Sequence, residues 1–501
     1  MKIFSAEQIR AWDRFTIANE PISSIDLMER AAIRCVEWLL EHFPRQNDYF
    51  IFCGTGNNGG DGLAIGRMLS VKGKRVYYFI INPKNRELSS DCLINLNRIK
   101  ETAAKGINSE QLPSIPTEAI LIDAIFGTGL SKSPEGKIAE LINEINALPN
   151  KKIAIDLPSG LLADQWSGTD AIIRADFTLS FQSPKLAFMI PENENYTGQT
   201  VILDIGLHAG FESSNDSKYS YSDWKSIQPL LKKRKSFSHK GTYGHAALMN
   251  GSYGMLGAAI LSSRACLHSG VGKLSVFCSE NSYPILQVAV PEAVFEIHNT
   301  DLWASILDGS EKFQAIGVGS GWGKNDQYTS ILGTLFRQQL PIVIDADAIN
   351  CIADHPGLIR EIPSHSAITP HVKEFEKLFG KSENGYARIQ LAIEKAKELK
   401  IHIILKGYRT LVALPDGRAV FNSTGNPGMA TAGTGDVLTG MLTSFLAQGY
   451  SFDDACVLAV YVHGMAGDLA AKTLSQEAMT ALDLISFIST AILKFDENWL
   501  F

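Results

Sequence analysis

The chain has 501 residues, and its seven cysteines, at 35, 53, 92, 266, 278, 351 and 456, form no CxxC pair and no tight cluster. That excludes a cysteine zinc site and a disulfide framework and leaves reduced, buried thiols as the expectation. Positive charge is not in surplus either. The formal net charge is -7, which gives no electrostatic footprint for nucleic acid or for an anionic membrane surface. The one basic cluster, Lys232, Lys233, Arg234 and Lys235, is short and reads as a solvated loop ahead of a contact with an anionic ligand. No apolar run reaches membrane-spanning length, and the opening MKIFSAEQIRAWDRF carries charges throughout where a signal peptide would have an apolar core. A cytoplasmic protein is expected, with no membrane or nucleic-acid partner and with self-association as a homo-oligomer. No repeat period is visible.

What is present is core material. Hydrophobic residues make up 45% and charged residues 20%, a composition of folded domains. A chain of this length exceeds what one core organises, so two domains are expected. From Ser5 to about Phe43 the spacing is helical, with Ser5 and Gln8 placed as a capping box and Ile25, Met28, Ala32 and Val36 recurring at three and four. Two helices are expected there. Apolar runs then alternate with helical stretches: YFIFC, GLAIGRMLSVKG, RVYYFII, DCLINLNRIK, AILIDAIFG, KIAELINEINAL and KIAIDLP, closed by TLSFQSPKLAFM and TVILDIGL. This alternation predicts parallel strands with helical crossovers in an open α/β sheet. The segment from about His208 to Asp223 is polar, Ser-rich and without period, and reads as a linker. The expected domains are therefore 1–215 and 222–501. The second again alternates, through HAALMNG, GAAILSSRACLHSG, KLSVFC, AIGVGSG, LPIVIDADAIN, HIILKG and TLVALP.

Gly54-Thr55-Gly56-Asn57-Asn58-Gly59 matches GxGxxG between a strand and a helix, the setting in which backbone amides approach a phosphate. The acidic partner that a redox dinucleotide fold carries at the end of the next strand is missing, because Val76 to Ile81 leads into Asn82 and Pro83. In its place stand Asn57, Asn58 and Asp61, with Asp123 ending AILID, Asp156 ending KIAID, and Ser159 in LPSG. Strand ends of a parallel sheet converge on one crevice, and carboxylate, amide and hydroxyl oxygens suit a hard cation. Each aspartate taken singly could equally cap the helix after it.

DLMERAA, GTGNNGGDG, DAIFGTGL and AIDLPSGL, in this order, resemble the NAD(P)H-hydrate epimerase domain family over about the first two hundred residues. The resemblance implies a Rossmann-like open sheet. It also implies that Asn57, Asn58, Gly59, Gly60 and Asp61, with Gly127, Thr128, Gly129, Leu130, Ser131, Lys132 and Ser133, bind the hydrated nicotinamide nucleotide. Asp156 would contact it near the reacting carbon as acid or base, and Asn58, Asp123 and Ser159 would hold K+.

In the second half, Gly433-Thr434-Gly435-Asp436 joins a small-residue loop to an amphipathic helix. Its amides form an anion hole for a transferring phosphoryl group, and the aspartate can take a proton from the attacking hydroxyl. KGTYGH, YGMLGAA, GVGSGWG, DADAIN, TPHVKEF, KGYRT and NPGMATAGTGD together resemble the ADP/ATP-dependent NAD(P)H-hydrate dehydratase family, a branch of the ribokinase-like α/β fold. From that resemblance, Lys406, Gly407, Tyr408, Arg409, Thr410, Asn426, Gly433, Thr434 and Gly435 would bind the nucleotide. Ala258, Gly319, His371 and Asp436 would bind the hydrate, NADHX or NADPHX, with Mg2+ accompanying ADP or ATP and Asp436 as the catalytic base. Val318 departs from the family's usual proline, and the Gly319 amide is expected to stay available. A small-molecule kinase and a noncatalytic RNA- or protein-binding N-terminal module are the competing readings. TPHVKEF and KGTYGH count against the first, and Asp123, Asp156 and the NNGGD loop against the second.

Overall fold

The structure, a computed structural model, describes residues 1–83, 85–107, 112–168, 171–298 and 310–495. Residues 496–501 of the expected second domain lie outside these. The chain forms two compact units, one of Lys2–Ser217 with Asn384–Tyr386 and the other of the remaining chain. Among the described residues no helix is long and apolar enough to cross a membrane. No described cysteine is bonded to another, and all but Cys351 are buried.

In the first unit, helices α1 (Ala6–Asn19) and α2 (Ser24–His42) precede the sheet. The Ser5 and Gln8 capping box opens α1: Ser5 Oγ accepts from the Gln8 amide at 3.2 Å, and Gln8 Oε1 accepts from the Ser5 amide at 3.1 Å. The strands are β1 (Asp48–Cys53), β2 (Arg75–Ile80), β3 (Lys105–Ile107), β4 (Ile120–Ala124), β5 (Lys152–Ile155), β6 (Phe177–Phe181) and β7 (Gln199–Leu203). All pair in parallel, in the order β3-β2-β1-β4-β5-β6-β7. Crossover helices α3 (Asn57–Val71), α4 (Ser90–Lys100) and α5 (Lys137–Ala147) connect them. Because the order reverses between β1 and β4, the loops leaving those strands diverge to opposite faces and open a crevice at their C-terminal ends. One apolar cluster, with Leu63, Ile65 and Ile122, fills one face of the sheet, and another, with Phe50, Phe52 and Ile142, fills the other.

The segment expected as an unpacked linker carries structure. Ala209–Ser214 is a short helix whose Phe211 is buried and stacks on Trp12 at 5.7 Å, and β8 (Tyr219–Tyr221) begins the second unit. Its polar composition hid two anchors, a single buried aromatic and an edge strand. The basic cluster at 232–235 is an exposed loop, as expected, and two of its cations rest on aromatic rings: the Lys232 ammonium lies 4.4 Å from the Tyr450 ring centroid, and the Arg234 guanidinium 4.0 Å from that of Tyr243.

In the second unit the strands are β9 (His245–Met249), β10 (Lys273–Ser279), β11 (Val294–His298), β12 (Ala315–Val318), β13 (Ile342–Ile344), β14 (Ser366–Ile368), β15 (His402–Leu405), β16 (Leu411–Ala413) and β17 (Ala419–Phe421). From β8 the order runs β8-β17-β16-β15-β14-β13-β12-β9-β10-β11. Pairing is parallel except along β15, β16 and β17, which are antiparallel, so the sheet is mixed. Its switch point lies between β9 and β12. The helices that matter for function are α6 (Leu256–His268), α7 (Ala346–Asp354), α8 (Val372–Phe379), α9 (Thr434–Ala447), α10 (Phe452–Leu474) and α11 (Ala481–Leu493). Helix α9 is buried from Val437 to Ala447. An all-round apolar helix of this kind belongs inside a core, and this one anchors the loop that precedes it.

Candidate active sites

In the first unit, β1 ends at Cys53 and the chain turns into α3, whose N-terminus at Gly56 has no side-chain cap. The first amides of that helix are therefore left for an anion. The Gly54 amide donates to the Ala124 carbonyl at 3.0 Å, tying this turn to the end of β4. Beside it opens a cavity of about 710 Å³, lined by Asn57, Asn58, Asp61, the 127–133 loop and Asp156. Gly59 and Gly60 do not line it. They are buried beneath, Gly59 so close that a Cβ would stand 1.9 Å from the Gly54 carbonyl oxygen.

At Gly127 a Cβ would lie 3.1 Å from Asp156 Oδ2 and 3.3 Å from Asn58 Cγ, so groups from three strand ends meet at this point. Asp156 stands at the end of β5 with φ 64, a left-handed conformation that a residue other than glycine adopts only when its surroundings impose it. Its Oδ2 accepts from the Thr128 amide at 3.2 Å, and its Oδ1 lies 3.0 Å from the ammonium of Lys185. Lys185 is fully buried and also donates to the carbonyls of Phe181 at 2.9 Å and Ser183 at 3.1 Å. Both Lys185 and Asp13, a further carboxylate lining the cavity, escaped sequence reasoning. The signal for Lys185 was a lone cation inside the apolar run TLSFQSPKLAFM. Burial raises Asp13 to about 6, with the charge of Asp156 adding to the rise.

Asp123 and Ser159, both buried, sit below the cavity floor. Asp123 Oδ1 accepts from Ser159 Oγ at 2.5 Å and from the Ile125 amide at 3.2 Å, and Oδ2 accepts from the Ser159 amide at 2.7 Å. Burial raises Asp123 to about 6 in spite of these hydrogen bonds. Ser159 Oγ accepts from the Phe126 amide at 2.8 Å, leaving one lone pair. The amide oxygen and nitrogen of Asn58 are both buried and find no hydrogen-bond partner among the described residues. A desolvated amide without a partner is costly, and an amide oxygen of this kind suits a hard cation. Among the described residues no three His, Cys, Asp or Glu side chains gather around a metal position.

In the second unit, Gly433 takes φ 92 and opens α9 without a side-chain cap, which frees the first amides of the helix. The loop is held from behind. His463, which burial lowers to about 4 and so keeps neutral, donates Nε2–H to the Thr434 carbonyl at 2.9 Å. Asn426 Oδ1 accepts from the Gly428 amide at 3.0 Å while its Nδ2 donates to Asp468 at 2.9 Å.

Asp345 ends β13 and is buried. The Lys406 ammonium lies 2.9 Å from its Oδ1, Thr369 Oγ1 donates to the same oxygen at 2.7 Å, and Ser320 Oγ donates to Oδ2 at 3.1 Å. Burial opposes charge on both Asp345 and Lys406. Their mutual attraction outweighs it, holding Asp345 below and Lys406 above the ordinary values. At Gly435 a Cβ would be 3.4 Å from Lys406 Nζ, so the anion loop and the ion pair share one place. Asp436, in the first turn of α9, is raised to about 6 by burial, with the charge of Asp345 adding to the rise and the nearby Ser320 hydroxyl opposing it.

Other expected residues have local partners. Thr410 Oγ1 donates to the Gly407 carbonyl at 2.8 Å, and the Arg409 guanidinium lies 4.5 Å over the exposed Tyr408 ring. Ala258 sits in the first turn of α6, where a Cβ on Gly321 would come within 2.7 Å of its own Cβ. His371 is the N-cap of α8: its Nδ1 accepts from the Glu374 amide at 3.2 Å, and its ring is 52% exposed. The expectation of an available Gly319 amide does not hold, because that amide donates to the Met249 carbonyl at 3.4 Å as β12 runs alongside β9. Asp345, Glu374, Ser320 and His463 entered the site unannounced. Asp345, Glu374 and Ser320 lay in motifs singled out beforehand, DADAIN, TPHVKEF and GVGSGWG, and His463 in none.

Two open α/β units, each gathering aspartates near strand ends and an uncapped helix N-terminus, define a two-domain enzyme whose C-terminal part is ribokinase-like. Residues 24–187 match the family described as YjeF-related protein N-terminus, and residues 246–490 match NAD(P)H-hydrate dehydratase. The chain is 32% identical to the bifunctional NAD(P)H-hydrate repair enzyme of Moorella thermoacetica over 99% of its own length and 98% of that protein's. It is 31% identical to the enzyme of the same description from Thermofilum pendens, over 100% and 98%. A crystal structure of ADP/ATP-dependent NAD(P)H-hydrate dehydratase from Bacillus subtilis, co-crystallised with ATP and Mg2+, is 31% identical with a TM-score of 0.50, covering 55% of this chain and 99% of that one. The chain belongs to the family of bifunctional NAD(P)H-hydrate repair enzymes.

Proposed function

We propose that the N-terminal crevice interconverts the two epimers of hydrated NADH and NADPH, and that the C-terminal crevice dehydrates the S epimer at the expense of ADP or ATP. As a member of its family the chain is an NAD(P)H-hydrate epimerase and an ADP/ATP-dependent NAD(P)H-hydrate dehydratase. The observation that carries the residue assignments is the placing of one carboxylate, Asp156 in the first unit and Asp436 in the second, beside uncapped helix amides.

The hydrate bears a hydroxyl on the carbon next to the ring nitrogen. Inverting that carbon requires one of its bonds to break and to re-form on the opposite face. Asp156 takes the hydroxyl proton as the ring carbon–nitrogen bond opens and returns it when the ring closes. Lys185 and the Thr128 amide keep its carboxylate aimed into the cavity, and the amides at the start of α3 and in the 127–133 loop hold the phosphates. Asn58, Asp123 and Ser159 would hold a potassium ion, which would supply fixed positive charge to the site.

In the second unit Asp436, whose raised value of about 6 lies close to working pH, takes the hydroxyl proton. The substrate oxygen then attacks the terminal phosphoryl group of the nucleotide while the amides of Gly433 to Gly435 stabilise the charge on that group. Lys406, held by Asp345 and Glu374, is aimed at the same phosphates. The nucleotide departs one phosphoryl group shorter; phosphate then leaves with the carbon–oxygen electron pair, the neighbouring ring carbon gives up a proton to it, and the ring double bond returns. Mg2+ accompanying the nucleotide supplies further charge neutralisation.

Mixed NADH hydrate epimers given to the purified chain should equilibrate without nucleotide and convert fully to NADH, read by its absorbance, once ADP or ATP is added. Asp156→Asn should stop only the exchange of epimers, and Asp436→Asn only the recovery of NADH. Loss of both activities in either variant would break the assignment of one carboxylate to each reaction.

A further inference from the structure

In an open doubly wound sheet, a dinucleotide bound across the switch point places its adenosine ribose near the end of the second strand. An acidic residue there receives the 2′-hydroxyl of NAD, and an arginine nearby accommodates the 2′-phosphate of NADP. Here β2 runs out through Ile81 into Asn82 and Pro83, and no acid stands at its end. The next charged residue on the cavity wall is Arg86.

Its backbone is fixed twice by one side chain: Asn82 Oδ1 accepts from the Arg86 amide at 2.8 Å, and Asn82 Nδ2 donates to the Arg86 carbonyl at 2.8 Å. The same segment is stitched to the glycine turn, since the Ser89 amide donates to the Thr55 carbonyl at 2.9 Å and the Ile81 amide to the Cys53 carbonyl at 2.8 Å. Among the described residues the Arg86 guanidinium is assigned to no carboxylate, whereas the cavity's opposite wall is formed by Asp156 and Lys185. In the order β2-β1-β4-β5, a hydrate laid across the switch point with its reacting ring at Asp156 would carry its adenosine half toward β2. The remaining exposed charges on the wall are Arg10, Lys132 and Glu135.

We infer that Arg86 is a specificity-determining residue of the epimerase, reading the 2′-phosphate, and that the epimerase prefers the hydrate of NADPH to that of NADH. The inference rests on the epimerase reading of this cavity and adds to it the end of the substrate that is discriminated. A guanidinium meeting a phosphate makes charge-assisted, often bidentate hydrogen bonds, with a geometry that lysine does not reproduce.

The test measures kcat/KM for epimer exchange with each hydrate in the full chain and in Arg86→Ala, Arg86→Lys and Arg86→Asp. Arg86→Ala should lose roughly 10- to 100-fold with the NADPH hydrate, the size expected for charged hydrogen bonds, and change little with the NADH hydrate. Arg86→Lys should recover part of the loss, and Arg86→Asp should favour the NADH hydrate. An equal loss with both substrates would make Arg86 a general phosphate or structural residue and overturn the inference. So would no loss with either, while unchanged thermal unfolding shows each variant to be folded. Absence of exchange with either hydrate in the parent chain would instead count against the epimerase reading itself.

Discussion

Lys185 holds its ammonium 3.0 Å from Asp156 Oδ1 with a side chain only 1% exposed, and its other protons go to the carbonyls of Phe181 and Ser183. The cation thereby locks both the carboxylate and the turn after β6. Removing one partner of a buried pair leaves the other charged and desolvated, which costs about 3–5 kcal/mol. Lys185→Met should lower the stability of the N-terminal unit by about that much and abolish epimer exchange, measured by calorimetric unfolding and by chromatography of the epimers. Dehydration of the pure S epimer should continue in the same variant.

Asp123 is raised from the ordinary 3.8 to about 6 by burial. The folded unit therefore binds that proton more tightly than the unfolded chain, and stability declines as pH rises through the interval between those values. On the proposed assignment, potassium would need the ionised form. Its affinity should fall as pH drops below about 6, and Asp123→Ala should weaken it at every pH while leaving dehydration intact. Potassium titrations of epimer exchange at several pH values check both points, and an affinity insensitive to pH and to the substitution would remove Asp123 from the site.

Asp436→Asn keeps the size and position of the side chain but removes the base. NADH recovery should fall roughly a hundredfold to ten-thousandfold, while calorimetric ADP binding persists. In the parent chain the rate should decline as pH falls through about 6, where Asp436 takes up its proton. A variant within a few-fold of the parent would make Asp436 a structural cap.

A C-terminal fragment beginning at Lys218 should be more stable than one beginning at Ser222, because β8 supplies three cross-strand pairs to β17. At about 0.2–1 kcal/mol for each pair, the difference should be about 0.6–3 kcal/mol, read from urea unfolding. Both fragments should dehydrate the S epimer, and a fragment of residues 2–217 should exchange epimers without nucleotide.

Sequence pattern alone was enough for the alternating elements. Runs such as YFIFC and AILID have the length and apolarity of strands buried on both faces, and β1 and β4 are those strands. It served less well where a single residue carries the packing. Phe211 anchors a helix inside a Ser-rich stretch, and β8 pairs only at the edge of a sheet, neither of which leaves a periodic trace.

The amino-acid order by itself determined two α/β units, the glycine turns that open α3 and α9, and the oxygen-bearing residues that follow each strand, since these depend on local spacing and on which backbone conformations a residue allows. Tertiary structure alone decided that Lys185 lies against Asp156, that Lys406 joins Asp345, and that Asn58 has a buried amide without a partner among the described residues. Those relations join residues 29 positions apart in the first pair and 61 in the second. They arise from strand order and burial, and burial is what turns an ordinary lysine or carboxylate into a fixed charge with a shifted proton affinity.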